Sequence, residues 1–364
     1  MHRLLLLGTG GIAGNHVEEF GKVPACAIVA CVDSAPGKAR KFASAHDIPH
    51  HFESVDQAIE WNGFDAVINA TPDGAHKATT MQMLAADKHV FCEKPLAPRH
   101  ADALAMTAAA ETAGVINMVN LSYRNSPALQ HARRMVEARE IGDLRHVEAA
   151  YRQSWLVGKS WGDWRTMPQW LWRLSTEHGS TGVLGDVGIH IIDFASFGAA
   201  DEFVSIRADL ATFPKAAGDR IGDYRLDAND SVAMTGRLGR GALATIVATR
   251  FATGHLNDLS LSLHGTRGAL KVETDGKTSR LTVCRGENVD KGRWVEVETP
   301  PVLRNAGRFV EALSTGVNGD PGFRRAAEIQ KVIDAALASA ARGARVEIGD
   351  AGRKSQAFEK PDIA

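Results

Sequence analysis

Leu4-Leu5-Leu6-Leu7-Gly8-Thr9-Gly10-Gly11-Ile12-Ala13 carries four apolar residues directly into a glycine-rich turn, and the positions after it read as the start of a helix. The leucine run reads as a fully buried strand. The turn has the G-x-G-x-x-A form of the dinucleotide fingerprint. Gly8 permits the tight turn, Gly10 lets the backbone approach a pyrophosphate, and the small Ala13 lets helix and strand pack closely. Gly11 and Ile12 complete the loop, whose amides would face the phosphates at the helix start. Glycine spacing of this kind also arises by chance in loops, so its surroundings decide. A second apolar run at 27–32 ends at Asp33, where an acid is expected to meet the adenosine ribose hydroxyls, with Ser34 beside it. The alternative for Asp33 is a turn or cap residue, since Ser34-Ala35-Pro36-Gly37 follows. An acid here repels a 2′-phosphate, so NAD is the expected cofactor; Lys38, Arg40 and Lys41 nearby leave NADP open.

Strands and helices continue to alternate outward from this loop. Helices are expected at 38–46, 56–61, 75–86 and 101–113, and strands at 65–70, around Val90 and at 115–121. That alternation implies right-handed crossovers and a mostly parallel sheet covered on both faces. His89-Val90-Phe91-Cys92-Glu93-Lys94-Pro95 ends one of the strands in an ionisable pair and a proline. Proline stops the strand and biases Lys94 away from helical angles, so the pair sits on a turn past the strand's carboxyl end. In open α/β sheets ligands bind at that edge. A lysine fixed there can direct its charge at an oxygen of a bound substrate.

The second half has a different texture. A helix is expected over 126–139, then an alternating strand over 146–154 with Val147, Ala149 and Tyr151 on one side. Trp155, Trp161, Trp164, Trp170 and Trp172 follow, with Gly158, Gly162 and Pro168 among them. No single period fits these rings, so they belong to a loop or broken structure. Most are expected to form a local cluster that pins the loop. One or two, Trp164 among them, are candidates for a wall against the apolar face of a sugar ring, with Arg165 and Arg173 supplying hydrogen bonds. The segment 182–193, GVLGDVGIHIID, reads as a helix past Gly188. If that helix begins by Asp186, then Asp186 and His190 share a face one turn apart and reach one substrate hydroxyl. A surface pair or a helix-start carboxylate is the ordinary alternative. Strands are expected at 203–213, 230–238, 242–251, 257–264, 269–274, 280–285 and 293–298, with short turns that favour antiparallel neighbours. Helices near 305–315 and 321–341 close the chain.

Together these pieces resemble the glucose–fructose oxidoreductase/inositol dehydrogenase/MocA (Gfo/Idh/MocA) family. The matching residues are the opening glycine loop, Asp33, DAVINATPDGAH at 65–76, KHVFCEKPLA at 88–97, Tyr123-Arg124, the 182–193 segment and HGTRGALKVE at 264–273. The resemblance implies an α/β protein. An N-terminal Rossmann dinucleotide-binding domain would span 1–123, and a C-terminal α+β domain with a large, mostly antiparallel open sheet would span 124–364. It further implies that Thr71, Pro72, Glu93 and Lys94 line the nicotinamide half of the cofactor, with His76 nearby, and that Lys94, Asp186 and His190 form the catalytic group. Tyr123 is a candidate substrate contact, with a packing role as the alternative. The lead-in His178-Gly179-Ser180-Thr181-Gly182 departs from the family's usual glycine-rich form, which leaves the local loop and the substrate open.

The implied activity is NAD-dependent oxidation of a secondary hydroxyl on a sugar, inositol or related polyol. His190, with an ordinary pKa near 6.5, is the natural base, Lys94 would stabilise the alkoxide and Asp186 would hold the substrate or tune the other two; the three are coupled, so which of them takes the proton stays open. Redox-assisted glycoside cleavage and a non-catalytic dinucleotide or sugar sensor are the rivals. Family members commonly use the uncovered sheet face to assemble, so a homodimer or homotetramer is expected.

Composition narrows the field further. The 364 residues are 44% hydrophobic and 23% charged, with a formal net charge of −1. That balance fits a globular protein of about two domains and gives no support for nucleic-acid or anionic-membrane binding. The four cysteines, Cys26, Cys31, Cys92 and Cys284, show no metal-ligand spacing, and reduced buried thiols in a cytoplasmic protein are expected. The leucine run is too short for a signal-peptide core, and no membrane span is expected.

Overall fold

A computed structural model describes residues 1–349. The strands β1 (His2–Leu7), β2 (Cys26–Val32), β3 (His50–Phe52), β4 (Ala66–Asn69), β5 (His89–Cys92) and β6 (Asn117–Val119) form one sheet in the order β3-β2-β1-β4-β5-β6. Every pairing in it is parallel. Helices α1 (Ala13–Gly21), α2 (Lys38–Ala45), α3 (Val55–Trp61), α4 (His76–Ala85) and α5 (His100–Ala113) make the crossovers. The four leucines of β1 are consecutive because both faces of the strand are covered. Leu5 and Leu7 enter one core and Leu4 and Leu6 the other. The short β3 was not expected from the sequence: its two histidines are exposed and only Phe52 turns inward.

The second sheet has nine strands in the order β16-β15-β14-β13-β7-β12-β11-β8-β17. They are β7 (Leu144–Gln153), β8 (Phe203–Ala211), β11 (Ser231–Leu238), β12 (Leu243–Thr249), β13 (Asn257–Gly265), β14 (Gly268–Thr274), β15 (Ser279–Arg285), β16 (Val295–Val297) and β17 (Val346–Glu347). A small ribbon, β9 (Arg220–Ile221) with β10 (Tyr224–Arg225), stands apart. All neighbours in the large sheet are antiparallel except β7 with β12.

Helices α6 (Pro127–Glu137), α8 (Ile189–Ala199) and α10 (Phe323–Arg342) pack on this sheet, and a single turn, α7 (Pro168–Leu171), lies in the tryptophan loop. All eleven residues of α8 are buried, so it is apolar all round rather than striped. Helix α9 (Asn305–Thr315) returns to the first sheet, where Ala306, Phe309, Val310 and Ala312 join the core of Leu4, Leu6, Phe20 and Phe91. By packing, it belongs with the first sheet although it follows the break expected at 123/124.

Where the chain crosses between the sheets, Arg124 is buried. Its Nη2 and Nε donate to Asp193 on α8 at 2.6 and 2.8 Å, and its Nη1 reaches Asp320. Arg325 of α10 joins the same carboxylate at 3.1 Å. Fully bonded buried charges of this kind fix geometry, and here they fix α8 against the crossing segment. Among the described residues no helix is long and apolar enough to cross a membrane, and all four cysteines are free and buried.

Candidate active site

The turn after β5 projects Lys94 across to the segment that leads into α8. Lys94 Nζ donates to Asp186 Oδ1 at 3.0 Å and to the Asp186 carbonyl at 3.1 Å. Asp186 lies on a widened π-helical turn, Leu184–Gly188, that runs directly into α8. The turn closes because Gly185 has no side chain: a Cβ there would stand 2.1 Å from Thr181 Oγ1. Expectation took 186 and 190 as one helical turn sharing a target. The observed π turn changes the spacing, and the Asp186 carboxylate points to cations rather than to His190.

Three cations meet that carboxylate. Besides Lys94, Arg250 Nη2 donates to Oδ2 at 3.0 Å, and Arg173 Nη1 lies 3.4 Å from both oxygens. Burial alone would raise the Asp186 pKa, but Lys94, Arg173 and Arg250 hold it well below the usual carboxylate range. Burial opposes the charge of Lys94 as well, yet Asp186 and Asp73 together raise its pKa, so it stays an ammonium. Asp73, just beyond β4, faces the same group, and burial pushes its own carboxyl up.

His190 is buried, and its Nδ1 has no partner. Tyr123 stands edge-on to the ring at 5.0 Å, and the Tyr123 hydroxyl is tied to the Tyr151 hydroxyl and to Asn257 Nδ2. Burial first and the neighbouring Lys94 charge second push the His190 pKa down to about 3. The imidazole is therefore neutral in the resting site, not poised near neutrality as an unperturbed histidine would be. His190 and Lys94 line one cavity of about 410 Å³ with Ile12, His16, Glu93 and Asn120.

Glu93 supports the lysine turn from behind. Its Oε1 accepts from Asn120 Nδ2 at 2.7 Å and its Oε2 from the Lys94 amide at 3.1 Å, while His16 Nε2 stands 3.0 Å away. Burial would raise this carboxyl; His16, Asn120 and Lys94 hold it at about 2. His76, at the start of α4, bridges the two strand ends. One ring nitrogen faces the Thr71 carbonyl at 2.8 Å and the other the Pro95 carbonyl at 2.7 Å. Two carbonyls require two N–H donors, hence an imidazolium. Burial opposes that charge, but Cys92 first, then the Pro95 carbonyl and Asp73, push the pKa up to about 10. Thr71 Oγ1 bonds Asn69 Oδ1 at 2.7 Å, so Thr71 and Pro72 form the rim of this clamp.

Trp164 and Arg165 lie elsewhere. Trp164 is 2% exposed, packed with Trp155, Leu156, Leu171 and Leu174, and its indole N–H donates to the Leu156 carbonyl. An indole with no free face has none to offer a sugar ring. Arg165 covers that ring at 4.5 Å and pairs with Asp163. Arg250, Asp73 and Asn120 were not anticipated as site residues.

The sequence carries this arrangement's history. Residues 2–121 match the model of an oxidoreductase family with an NAD-binding Rossmann fold, and residues 129–271 match the GFO/IDH/MocA C-terminal domain. The chain belongs to the Gfo/Idh/MocA family.

Family relatives include levoglucosan dehydrogenase of Pseudarthrobacter phenanthrenivorans, 26% identical over 77% of this chain and 78% of that protein. Inositol 2-dehydrogenase of Rhizobium meliloti is 25% identical over 95% and 99% respectively. The crystal structure of an oxidoreductase domain protein from Kribbella flavida superposes with a TM-score of 0.84 at 26% identity, covering 96% of this chain and all of that one. The protein is thus an oxidoreductase of a sugar and polyol dehydrogenase family, with an NAD-binding N-terminal domain.

The family's dinucleotide fits what the first sheet offers. Gly8 sits at φ +83°, and a Cβ on it would lie 2.7 Å from the Ala70 carbonyl oxygen. A Cβ on Gly10 or Gly11 would meet nothing within 4 Å, so the backbone there is open to a ligand. No side chain caps the start of α1 beyond Ile12; the Ala13 and Asn15 amides bond the Gly10 and Ile12 carbonyls at 3.1 Å, so phosphate oxygens would be met by the remaining amides of the turn. Asp33, at the end of β2, is braced by the Thr9 amide and hydroxyl at 3.0 and 2.7 Å, with Ser34 exposed beside it. Burial would raise Asp33, but Lys38 at 2.8 Å and Thr9 hold it at about 2, so an ionised carboxylate stands at the end of β2.

Proposed function

We propose that the protein oxidises a secondary hydroxyl of a sugar, inositol or related polyol to the ketone, or runs the reverse reduction. Lys94, Asp186 and His190 act as the catalytic group. NAD, when bound, supplies the hydride acceptor. The observation that carries the reading is the 3.0 Å contact of Lys94 with Asp186, 92 positions apart in sequence, with Lys94 and the buried His190 lining one cavity.

The protonation states divide the work. Lys94 is the ammonium that stabilises developing alkoxide charge. Asp186 is ionised but held by three cations, which makes it an orienting group rather than a base. His190 alone combines a free lone pair with a neutral ring, so it takes the hydroxyl proton. Its lowered pKa makes it a weak base in the resting site, so the proton transfer depends on Lys94 stabilising the alkoxide left behind. The negative Asp33 favours NAD over NADP by repelling a 2′-phosphate.

The test is a panel of inositols, aldoses and their keto forms followed by NADH absorbance, with NADP in parallel. Lys94→Ala and His190→Ala should each lower turnover by about 10²-fold or more while NAD binding persists. Near wild-type turnover in both variants overturns the assignment.

A further inference from the structure

Three cations on one carboxylate are more than that carboxylate needs, and they are not equally engaged. Arg250 is 0% exposed, makes a 3.0 Å bond to Asp186 and lies over Trp155 at 5.0 Å. Lys94 makes two bonds of 3.0 and 3.1 Å. Arg173 is different. Its side chain is 31% exposed, its only side-chain bonds are the 3.4 Å contacts from Nη1, and its Nε–H donates to nothing. The contacts that suffice to anchor Asp186 are made without it.

Arg173 is nevertheless firmly built. Its carbonyl accepts from Ser180 Oγ at 2.6 Å and from Arg250 Nη1 at 3.1 Å. Its guanidinium lies over Trp172 at 4.6 Å and near Trp170 at 5.7 Å. Stacking on indole holds the planar fork while leaving its edge donors free, and that fork matches carboxylate and phosphate oxygens.

Position supports the same use. Lys94 and Arg173 both contact Asp186 Oδ1, at 3.0 and 3.4 Å, so the two cations are no farther apart than those lengths laid end to end. A hydroxyl held by Lys94 and a group held by Arg173 therefore lie a few bonds apart in one small molecule. The other carboxylate facing the group, Asp73, adds one counter-charge, so three cations still meet two carboxylates.

We infer that Arg173 receives an anionic group of the substrate, which makes the substrate a sugar acid or sugar phosphate rather than a neutral polyol. The inference rests on the dehydrogenase reading and deepens it. A neutral sugar leaves the stacked guanidinium without a matching charge; a carboxylate or phosphate takes its exposed edge and the surplus charge together.

The experiment compares D-glucose with D-gluconate, D-glucuronate and D-glucose 6-phosphate, in turnover with NAD and in calorimetric binding in the presence of NADH. The carboxylate and phosphate arms tell the two anion sources apart. At least one anion should bind and react about 10-fold or more better than glucose. Arg173→Gln should weaken that anion's binding by about 10- to 100-fold, as expected for lost hydrogen bonds to a charged group. Arg173→Lys, which keeps the charge and loses the fork, should fall between. If no anion binds better than glucose, or if Arg173→Gln leaves anion binding unchanged, the inference is wrong. If no compound is turned over but anion binding still depends on Arg173, the anion site stands and the dehydrogenase reading fails.

Discussion

Replacing His76 by glutamine removes a buried positive charge that the fold itself generates, and the consequence is a pH dependence of known sign. The ring sits between the Thr71 and Pro95 carbonyls at 2.8 and 2.7 Å, with Cys92 beside it, so folding favours the imidazolium. The unfolded histidine titrates near 6.5, whereas in the fold it titrates at about 10. Below pH 6.5 both states hold the proton and the contribution is complete. Between pH 6.5 and 10 the folded state binds more protons than the unfolded one, so stability falls as pH rises, at up to about 1.4 kcal/mol per pH unit. Across the whole window that amounts to about 5 kcal/mol, the product of that slope and the shift to about 10. The assay is urea unfolding of wild type and His76→Gln at half-unit steps from pH 6 to 9.5. The difference in unfolding free energy should shrink steadily with rising pH, by roughly 2 kcal/mol between pH 6.5 and 8.5. A difference that stays constant would mean that His76 is neutral in the fold, and the two-carbonyl argument would fail.

Asp186→Asn leaves the fully buried Arg250 without its carboxylate, and breaking a buried ion pair costs about 3–5 kcal/mol, readable in the same unfolding assay. It also removes the main group raising Lys94, so any alkaline limb of the rate profile that reports Lys94 should move to lower pH; a limb that stays put would separate Lys94 from Asp186 functionally. Gly8→Val places a β-branched residue at φ +83° with its Cβ 2.7 Å from the Ala70 carbonyl oxygen. A destabilisation of about 2–5 kcal/mol is expected from the backbone strain and the overlap combined, and unfolding at the wild-type urea midpoint would contradict it.

Why some of this was legible in the sequence and some was not follows from period and distance. The β1 leucines, the glycine loop and Asp33 form one local unit whose geometry is set by neighbouring residues, so strand, turn and acid follow from the order of residues alone. The 305–315 helix was equally visible in its boundaries, yet nothing local says that its apolar face returns to the first sheet. Asp186 and His190 stood out through a segment pattern, but the π turn between them depends on Gly185 meeting Thr181, a contact that no helical period encodes. The downward shift of His190 is likewise a product of burial and of a lysine from another domain.

Arg250 is the instructive omission, because a signal for it existed. Inward positions of β12 are Ala244, Ile246 and Ala248, and the next position of that parity is Arg250. An arginine on the buried side of an alternating strand is costly unless a carboxylate answers it. Parity alone therefore predicted a buried cation with an acidic partner, and Asp186 is that partner. The tryptophans acquire a different meaning once this is seen. Most were expected to form a local cluster, and they pack on one another, Trp161 and Trp170 stacking at 5.8 Å and Trp155 lying against Trp170 at 5.4 Å. Their remaining faces carry Arg250 and Arg173, two of the three cations that converge on Asp186. The aromatic loop thus acts on the site through charge placement: it supports guanidinium planes in a desolvated setting, where an indole face is worth more than at an exposed surface.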